Sequence, residues 1–289
     1  MKQKNHTKNL KILVCYHKKY PLPQGEVFVP IHCGRDVANT VSKDGKVSDE
    51  ELVWLTKHMI GDNTGDNISA LNRDANEMTA IYWAWKNYDA LGNPDYIGLN
   101  HYRRYFRLTV KQIKKLLTEY DFIATEYKLR KKHTLYQQWL DETWDWAEKE
   151  FLDAAIQKIK EIDPSNGEKF EQFFHSGVMG LWCNMFVLPR EDFFNYCNFI
   201  FPLVFEIINI PHQSRAVGMF AERLTAFWLY EASKTKKAYF AEIKNTDDKN
   251  IPVIKRKIIN FNKNHIRPLI RIVENLIKNN LKTGKKVNV

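Results

Sequence analysis

Residues 95–100 read DYIGLN and residues 101–106 read HYRRYF. The first segment is short and mainly apolar, which predicts a buried β-strand, and a histidine, a tyrosine and two arginines follow it directly. The segment LKILVCY (Leu10–Tyr16) predicts a second buried strand, which His17 follows and Pro21 ends. Because ligands bind at the carboxyl ends of strands in open α/β sheets, we expect both strand ends to carry binding residues.

Strand and helix patterns alternate along the chain. Strands are predicted over 27–32, 121–125, 185–188 and 238–243. Helices are predicted over 49–58 (with Ser48 as cap and Glu51 at the capping-box position), 73–88, 110–119, 133–162, from Arg190 with an interruption at Pro202, and over 215–233. This alternation predicts an α/β fold, a mixed and mostly parallel sheet flanked by helices.

The positive charge of the chain is concentrated at one end. Residues 251–289 contain ten Lys or Arg and one acid, a net charge of +9, whereas the first 250 residues contain 34 and 33, a net charge of +1. An enzyme of nucleic acids would more often carry its charge along a groove of the body, so no nucleic-acid partner is expected. We therefore predict two units, a catalytic-size domain over 1–250 and a basic tail over 251–289.

The tail has the pattern of an amphipathic helix. Its apolar residues Ile266, Leu269, Ile270, Val273, Leu276, Ile277 and Leu281 fall on one helical face, and Arg267, Arg271, Lys278 and Lys282 fall off it. Such a basic helix lies in the headgroup plane of anionic membranes. The alternative is a terminal helix docked on the body, with its lysines solvated.

Composition and motif searches narrow the location and the chemistry. The four cysteines form no C-x-x-C pair, the N-terminus lacks a signal-peptide pattern, and no apolar run is long enough to span a bilayer. We therefore expect a cytoplasmic protein that is peripheral on the inner face of the cell membrane. The absence of a P-loop, a G-x-G-x-x-G and an H-E-x-x-H motif disfavours NTPases, dinucleotide enzymes and zinc proteases.

Five segments resemble one known family. They are DNTGDNISALN (62–72), YWAWKN (82–87), IGLNHYRRYF (97–106), CNMFVLPREDFFNYCNFIFPLVFE (183–206) and RAVGMFAERLTAFWL (215–229). This pattern, spread over roughly residues 10–245, is similar to a bacterial capsular and exopolysaccharide synthesis family long described as a domain of unknown function, whose members include polysaccharide galactofuranosyltransferases. The resemblance implies a GT-A-like (Rossmann-like) fold. It also implies transfer of a hexose, galactofuranose or another, from a nucleoside diphosphate donor such as UDP-sugar to a lipid-linked glycan.

The donor diphosphate needs positive charge, most of all as it leaves. GT-A enzymes usually place an Asp-x-Asp after such a strand, where it holds Mn²⁺ or Mg²⁺, but this sequence has Asn100 followed by His101, Tyr102, Arg103 and Arg104. Arginine binds phosphate bidentately, so Arg103 or Arg104 could replace the metal. The alternatives are that His101 is the one protein ligand of a metal, or that both arginines pair with acids of the body.

The donor-binding candidates are polar residues of loops and strand ends. They are His17, Arg35, Asp66, Asn67 and Asn72, together with His101, Tyr102, Arg103 and Arg104. For His17 a structural role is the more common outcome, and Asp66 and Asn67 could equally shape an Asx turn.

Glu222, in the helix predicted over 215–233, is the candidate catalytic base. An inverting enzyme needs one base opposite the leaving group, and a late helix supplies it in GT-A enzymes. The alternative is a salt bridge of Glu222 with Arg215 or Arg223, and Glu171, Glu191 and Asp192 are weaker rivals. Candidate contacts to the acceptor or sugar are Asn184, Arg215 and Arg223.

Three other functions stay open at this point. A retaining enzyme would not require Glu222 as base. A catalytically silent scaffold of a polysaccharide assembly is compatible with the missing Asp-x-Asp. A protein that binds anionic polymers through its tail would show strongly salt-dependent binding.

Overall fold

The structure, a computed structural model, describes residues 9–41, 46–125, 134–142, 145, 147–176 and 183–246. The predicted amphipathic tail helix and the boundary at residue 250 lie outside the described residues. Within them, no helix is both long and apolar enough to cross a membrane.

Nine strands and nine α-helices are described in these ranges. The strands are β1 (Leu10–Tyr16), β2 (Phe28–His32), β3 (Ile60–Gly61), β4 (Tyr96–His101), β5 (Arg104–Phe106), β6 (Phe122–Thr125), β7 (Phe186–Pro189), β8 (Ala238–Ala241) and β9 (Ile243–Asn245). The helices are α1 (Asp49–His58), α2 (Asn72–Ala75), α3 (Met78–Lys86), α4 (Val110–Leu116), α5 (Leu135–Leu140), α6 (Lys149–Ile162), α7 (Pro164–His175), α8 (Arg190–Ile207) and α9 (Ala216–Ser233).

The strands form one mixed sheet with the order β3-β2-β1-β4-β7-β6-β8, and β5 and β9 extend it from β4. Along this path only β7 is antiparallel to its neighbours, because β1 pairs in parallel with β2 and β4, and β6 pairs in parallel with β8. The predicted mostly parallel α/β sheet is therefore confirmed. Its register brings the carboxyl ends of β1, β2, β3 and β4 to the same edge.

Helices cover both faces of the sheet. Successive residues of a strand point to opposite faces. In β1, Leu13 and Cys15 belong to the large core formed with α3, α8 and α9, whereas Ile12 belongs to a second cluster that includes Ile113 of α4. Burial on both faces explains why this strand is apolar at nearly every position.

The predicted start of α1 is confirmed. Ser48 caps α1, and its hydroxyl accepts a hydrogen bond from the backbone N–H of Glu51 at 3.1 Å. The capping box is only half formed, because the Glu51 carboxylate accepts the backbone N–H of Lys19. The contact joins α1 to the loop after β1.

Three helix predictions need correction, and one helix was not predicted. The helix predicted over 73–88 is broken at Asn76, which has φ 52°. The region 133–162 contains two helices, α5 and α6, and α7 was not predicted. The predicted interruption at Pro202 is wrong, since α8 continues through it. Pro202 is solvent-exposed, so water can hydrate the carbonyl group that its missing N–H would have bonded.

A fully buried carboxylate, Asp62, ties the strand ends to the first helices. It follows β3 and accepts hydrogen bonds from the backbone N–H groups of Gly34 (2.7 Å) and Arg35 (3.1 Å). It also accepts from the hydroxyls of Ser69 (2.5 Å) and Thr79 (2.6 Å). These four donors compensate the cost of burying the charge, and they fix the loop after β2 against the start of α3.

Replacing Asp62 by Asn is expected to destabilise the protein by about 3 kcal/mol, because an amide cannot accept on both of its polar atoms and its NH₂ group would face donors. Urea unfolding followed by circular dichroism measures this loss. The control is Asp66→Asn, at an exposed position whose carboxylate accepts only from the Tyr82 hydroxyl at 3.1 Å. We expect less than about 1 kcal/mol for the control. Equal losses in the two variants would contradict the central role of Asp62.

Candidate functional site

A cleft of about 510 Å³ lies at the edge of the sheet where β1, β2 and β4 end. It is lined by the residues that follow these strands, by the segment around Asn76, by Cys183 before β7, and by the first two turns of α9. Eight residues predicted from the sequence lie together in it: His17, Asn72, His101, Tyr102, Arg103, Arg104, Arg215 and Glu222. The position agrees with the general rule for ligand sites in open α/β sheets.

Unusual backbone conformations surround the cleft. Among the described non-glycine residues, five have positive φ, and three of these, Asn76 (52°), Cys183 (67°) and Arg215 (76°), line the cleft. A fourth, Asn184 (50°), follows Cys183 directly. Such conformations cost free energy and persist where the surrounding structure imposes them, most often at functional sites.

A glycine allows the close approach of two walls of the cleft. Gly218 lies in the first turn of α9, where a Cβ atom would come within 2.4 Å of the Asn76 side chain and 2.8 Å of the Ala75 backbone. Only glycine therefore lets α9 pack directly on the end of α2. Residue 222 is one helical turn beyond Gly218, on the same side of α9.

Cationic side chains line the cleft. They are Arg103, Arg104 and Arg215, which were predicted, and Lys18, Lys46 and Arg73, which were not. The Arg103 guanidinium lies over the ring of Tyr102, 5.0 Å from its centroid. Tyr102 is buried and also contacts His17 edge-on, with ring centroids 5.1 Å apart. The aromatic cluster thus supports the positive groups at the ends of β1 and β4.

Among the described residues, three carboxylates line the same cleft: Glu77, Glu222 and Glu51, which accepts the backbone N–H of Lys19. Glu77 precedes α3, and its Oε1 accepts a hydrogen bond from the side-chain amide of Asn184 at 2.9 Å. The Oε1 atom is also 3.8 Å from Nε2 of His101, and that nitrogen donates to the carbonyl oxygen of Cys183 at 2.7 Å. Glu77 was not predicted from the sequence, because it lay inside a segment that reads as a continuous helix.

The environment of Glu222 favours its protonated form. Burial, and after it the negative charge of Glu77, raise the pKa of the Glu222 carboxyl to about 7 against the opposing effect of Arg223, Arg104 and Arg215. Its Oε2 is 3.3 Å from Nη1 of Arg223. The expected alternative, a salt bridge with Arg223, is therefore present. It does not return the carboxyl to an ordinary pKa, because desolvation is the largest effect.

His32, at the end of β2, is a neutral part of the cleft floor. It is almost fully buried. Burial, followed by the charges of Arg35 and His17, lowers its pKa to about 3. Its Nδ1 accepts a hydrogen bond from Nε of Arg35 at 3.3 Å. A neutral imidazole at this position adds no buried positive charge to a cleft that already contains several arginine and lysine side chains.

The alternative role of His101, as the one protein ligand of a metal, stays a prediction. The Nε2 atom of His101 is bonded to the Cys183 carbonyl, and the nearby Glu77 Oε1 is bonded to Asn184. Within the described part of the chain, no group of three His, Cys, Asp or Glu residues is arranged to hold a metal ion. We derive no chemical step through a metal.

Other predicted residues bond within the fold and are not among those that line the cleft. Arg35 donates to the carbonyls of Leu55 (3.2 Å) and Met59 (3.0 Å). Asn67 forms a local turn, accepting from the Ser69 N–H at 3.1 Å, and Asp66 accepts from Tyr82.

Asn184 and Arg223 act from behind the cleft surface. Asn184 is buried and holds Glu77. Arg223 is also buried, donates to the Met219 carbonyl at 2.7 Å, and lies over the Trp139 ring at 5.4 Å. The weaker rivals of Glu222 are engaged elsewhere. Glu171 pairs with Lys160 at 2.8 Å, and Asp192 pairs with Lys236.

Comparisons with known proteins agree with this fold. The family model described as "Domain of unknown function (DUF4422)" matches residues 11–234, and the chain belongs to this family. The resemblance seen in the sequence is thereby confirmed at the level of the family. No curated protein matches the chain.

A solved structure shares the architecture. It is described as the apo structure of WbbM, a bifunctional glycosyltransferase, and it is 21% identical to this chain with a TM-score of 0.66. The match covers 82% of this chain and 45% of the WbbM chain, so this chain corresponds to less than half of that protein. The likeness confirms the α/β fold.

Proposed function

We propose that this protein is a glycosyltransferase that moves a hexose, galactofuranose or another, from a nucleoside diphosphate donor, UDP-linked, to a lipid-linked glycan acceptor in capsule or exopolysaccharide synthesis, with inversion. The observation that carries the proposal is one cleft at the strand ends that contains both arginine and lysine side chains and the mostly buried Glu222 carboxyl. The fold shared with a glycosyltransferase supports it.

The cations have the task of stabilising the leaving diphosphate. When the bond from the sugar to the diphosphate breaks, negative charge builds up on the phosphate oxygens, and pre-positioned cations stabilise it. Arg104 lies at the start of β5, paired in the sheet with His101. Its guanidinium can donate two parallel hydrogen bonds to phosphate. Arg103, Arg215, Lys18 and Lys46 add positive charge to the same cleft.

Glu222 is the proposed base for the acceptor hydroxyl. A base works best when its pKa is close to the working pH, because it is then ionised and still basic enough to take a proton. The raised pKa of Glu222, about 7, meets this condition, whereas a solvated glutamate would be a much weaker base. In this scheme the acceptor oxygen attacks the anomeric carbon, Glu222 takes its proton, and the diphosphate leaves with the bonding electrons.

The lipid-linked acceptor and the position at the membrane are proposed from the tail. Residues 251–289 carry ten basic residues and one acid, and their apolar positions fall on one helical face. Anionic headgroups attract such a segment. A tail bound to the inner leaflet would hold the catalytic domain close to lipid-linked glycans.

UDP is expected to bind in the cleft and to raise the thermal unfolding midpoint of the protein, because a ligand of the native state stabilises it. Replacing Arg104 by Ala should weaken UDP binding by roughly tenfold or more in calorimetry, since it removes a charged hydrogen-bond donor. Arg107→Ala is the matched control. Arg107 is exposed, one residue beyond β5, and its Nε pairs with Glu242 at 3.2 Å. If no nucleoside diphosphate in a panel stabilises the protein, the result would contradict the proposal and favour the catalytically silent scaffold.

Replacing Glu222 by Gln is expected to lower the rate of sugar transfer by roughly 100-fold or more while leaving UDP affinity within about twofold, because the amide cannot accept the proton. In the wild-type enzyme the rate should fall as the pH drops below about 7, where Glu222 becomes protonated. Glu171→Gln, on the distant helix α7, should leave rate and pH profile unchanged. Substantial turnover by Glu222→Gln would favour a retaining mechanism instead.

Removing residues 255–289 is expected to release the protein from liposomes containing anionic lipids without changing its affinity for UDP. Co-sedimentation with vesicles of phosphatidylglycerol and phosphatidylcholine measures the release, and raising the salt should mimic it for the full chain. Undiminished binding of the shortened chain would show that the tail is not the membrane anchor.

A further inference from the structure

The scheme above does not use Glu77, one of the three described acidic residues that line the cleft. It is mostly buried, its side chain being 11% exposed, and it shares the cleft with Glu222, which is 14% exposed. The negative charge of Glu77 acts on Glu222 and opposes its ionisation, because like charges in a poorly hydrated site repel each other.

The packing of α9 on α2 brings together the two chain segments that carry these carboxyl groups. Gly218 meets the Asn76 side chain, and the absence of a Cβ atom is what allows this contact. Glu77 follows Asn76 in the chain, and Glu222 follows Gly218 by one helical turn. The positive φ of Asn76 turns the chain at this point, so that α3 starts afresh after Glu77 instead of continuing α2.

Glu77 is held in place from two sides. The amide of Asn184 donates to its Oε1 at 2.9 Å, and His101 lies 3.8 Å from the same oxygen. Asn184 and Cys183 adopt positive φ, and through these conformations the amide reaches Glu77 and the Cys183 carbonyl reaches His101. Two unfavourable backbone conformations thus help to fix the Glu77 carboxylate and the neighbouring His101.

We infer that Glu77 is a positioning residue for the proposed base: its fixed carboxylate keeps a negative charge beside Glu222, so that Glu222 can take up a proton from the acceptor at neutral pH. This inference deepens the proposed function and rests on it for the role of Glu222. Glu77 itself exchanges no proton with the substrate. Its contribution is electrostatic and acts through Glu222.

Several charged and titratable groups surround Glu222. Arg223 lies on α9 and Arg215 directly precedes it. Arg104 belongs to β5, Cys183 to the segment before β7, and Glu77 directly precedes α3. The three arginines lower the pKa of Glu222, and Glu77 is the nearby acid that raises it, in addition to burial. Without Glu77 the arginines would be opposed by desolvation alone.

The effect can be measured through stability, without any assay of transfer. A glutamate whose pKa is raised in the folded state binds more protons there than in the unfolded chain. Its contribution to stability is therefore present at low pH and is lost as the pH rises from about 4.5 to about 7. Comparing Glu222→Gln with the wild type at each pH isolates this contribution from the histidines, which titrate in both proteins.

The experiment is a pH-resolved double-mutant cycle in the full chain. Urea unfolding from pH 4.5 to 8.5 is measured for the wild type, Glu222→Gln, Glu77→Gln and the double variant. In the wild-type background, the stability difference caused by Glu222→Gln should change between about pH 4.5 and about pH 7, with its midpoint between these two values. In the Glu77→Gln background we expect that midpoint to move down by roughly half a pH unit, because only the upper limit moves.

Controls separate charge from shape. Glu77→Asp keeps the charge and should leave the midpoint closer to that of the wild type than Glu77→Gln does. Glu171→Gln changes a remote glutamate and should not move it. If Glu77→Gln does not fold, Glu77→Ala removes the same charge without adding an amide and replaces it in the cycle.

An unchanged midpoint on removal of the Glu77 charge would overturn the inference. Since this result concerns proton binding alone, it would leave the transferase proposal standing. Conversely, a shifted midpoint in a protein that binds no nucleoside diphosphate would uphold the coupling and count against the proposed function. When a donor supports turnover, the acid limb of the pH–rate profile should shift with the same sign in Glu77→Gln.

Discussion

The cleft depends on one buried carboxylate, Asp62. Its two oxygens accept from two backbone N–H groups of the loop after β2 and from two hydroxyls, those of Ser69 and Thr79. Thr79 in turn accepts from the amide of Asn72, which also donates to the carbonyl of Asn76. The negative charge therefore organises the loop, the break between α2 and α3, and through Asn76 the placement of Glu77. A neutral group could not hold four donors at once.

The cleft combines groups that each reduce the stability of the fold. Buried arginine and glutamate side chains lose hydration, and positive φ at Asn76, Cys183 and Arg215 adds conformational cost. The large aromatic core around α8 and α9 compensates, with rings such as Phe193 and Phe220 fully buried. A rigid scaffold of this kind is what allows charged groups to stay in place before a ligand arrives, so that little reorganisation is needed on binding.

The sequence predicted the elements best where local chemistry decides them. The strand β1 and the helix α1 follow from a continuous apolar run and from a capped start. The prediction from sequence failed where tertiary contacts override local preference. The α2–α3 segment has helical periodicity throughout, yet Asn76 breaks it. Pro202 is tolerated inside α8 because that face of the helix is exposed. The same limit hid Glu77, whose importance depends on what Gly218 brings next to it.

The sequence alone determined the α/β class, the positions of β1, β4, β6 and α1, the polar residues that follow β1 and β4, and the separation of a nearly neutral body from a strongly basic tail. These properties are local, since periodicity, capping and charge are read over a few residues. Only the tertiary structure decided which polar residues share a cleft. It placed His101, Arg104 and Glu222 together and assigned Arg35 to backbone carbonyls. It also determined the raised pKa of Glu222, because burial and neighbouring charge exist only once the chain has folded.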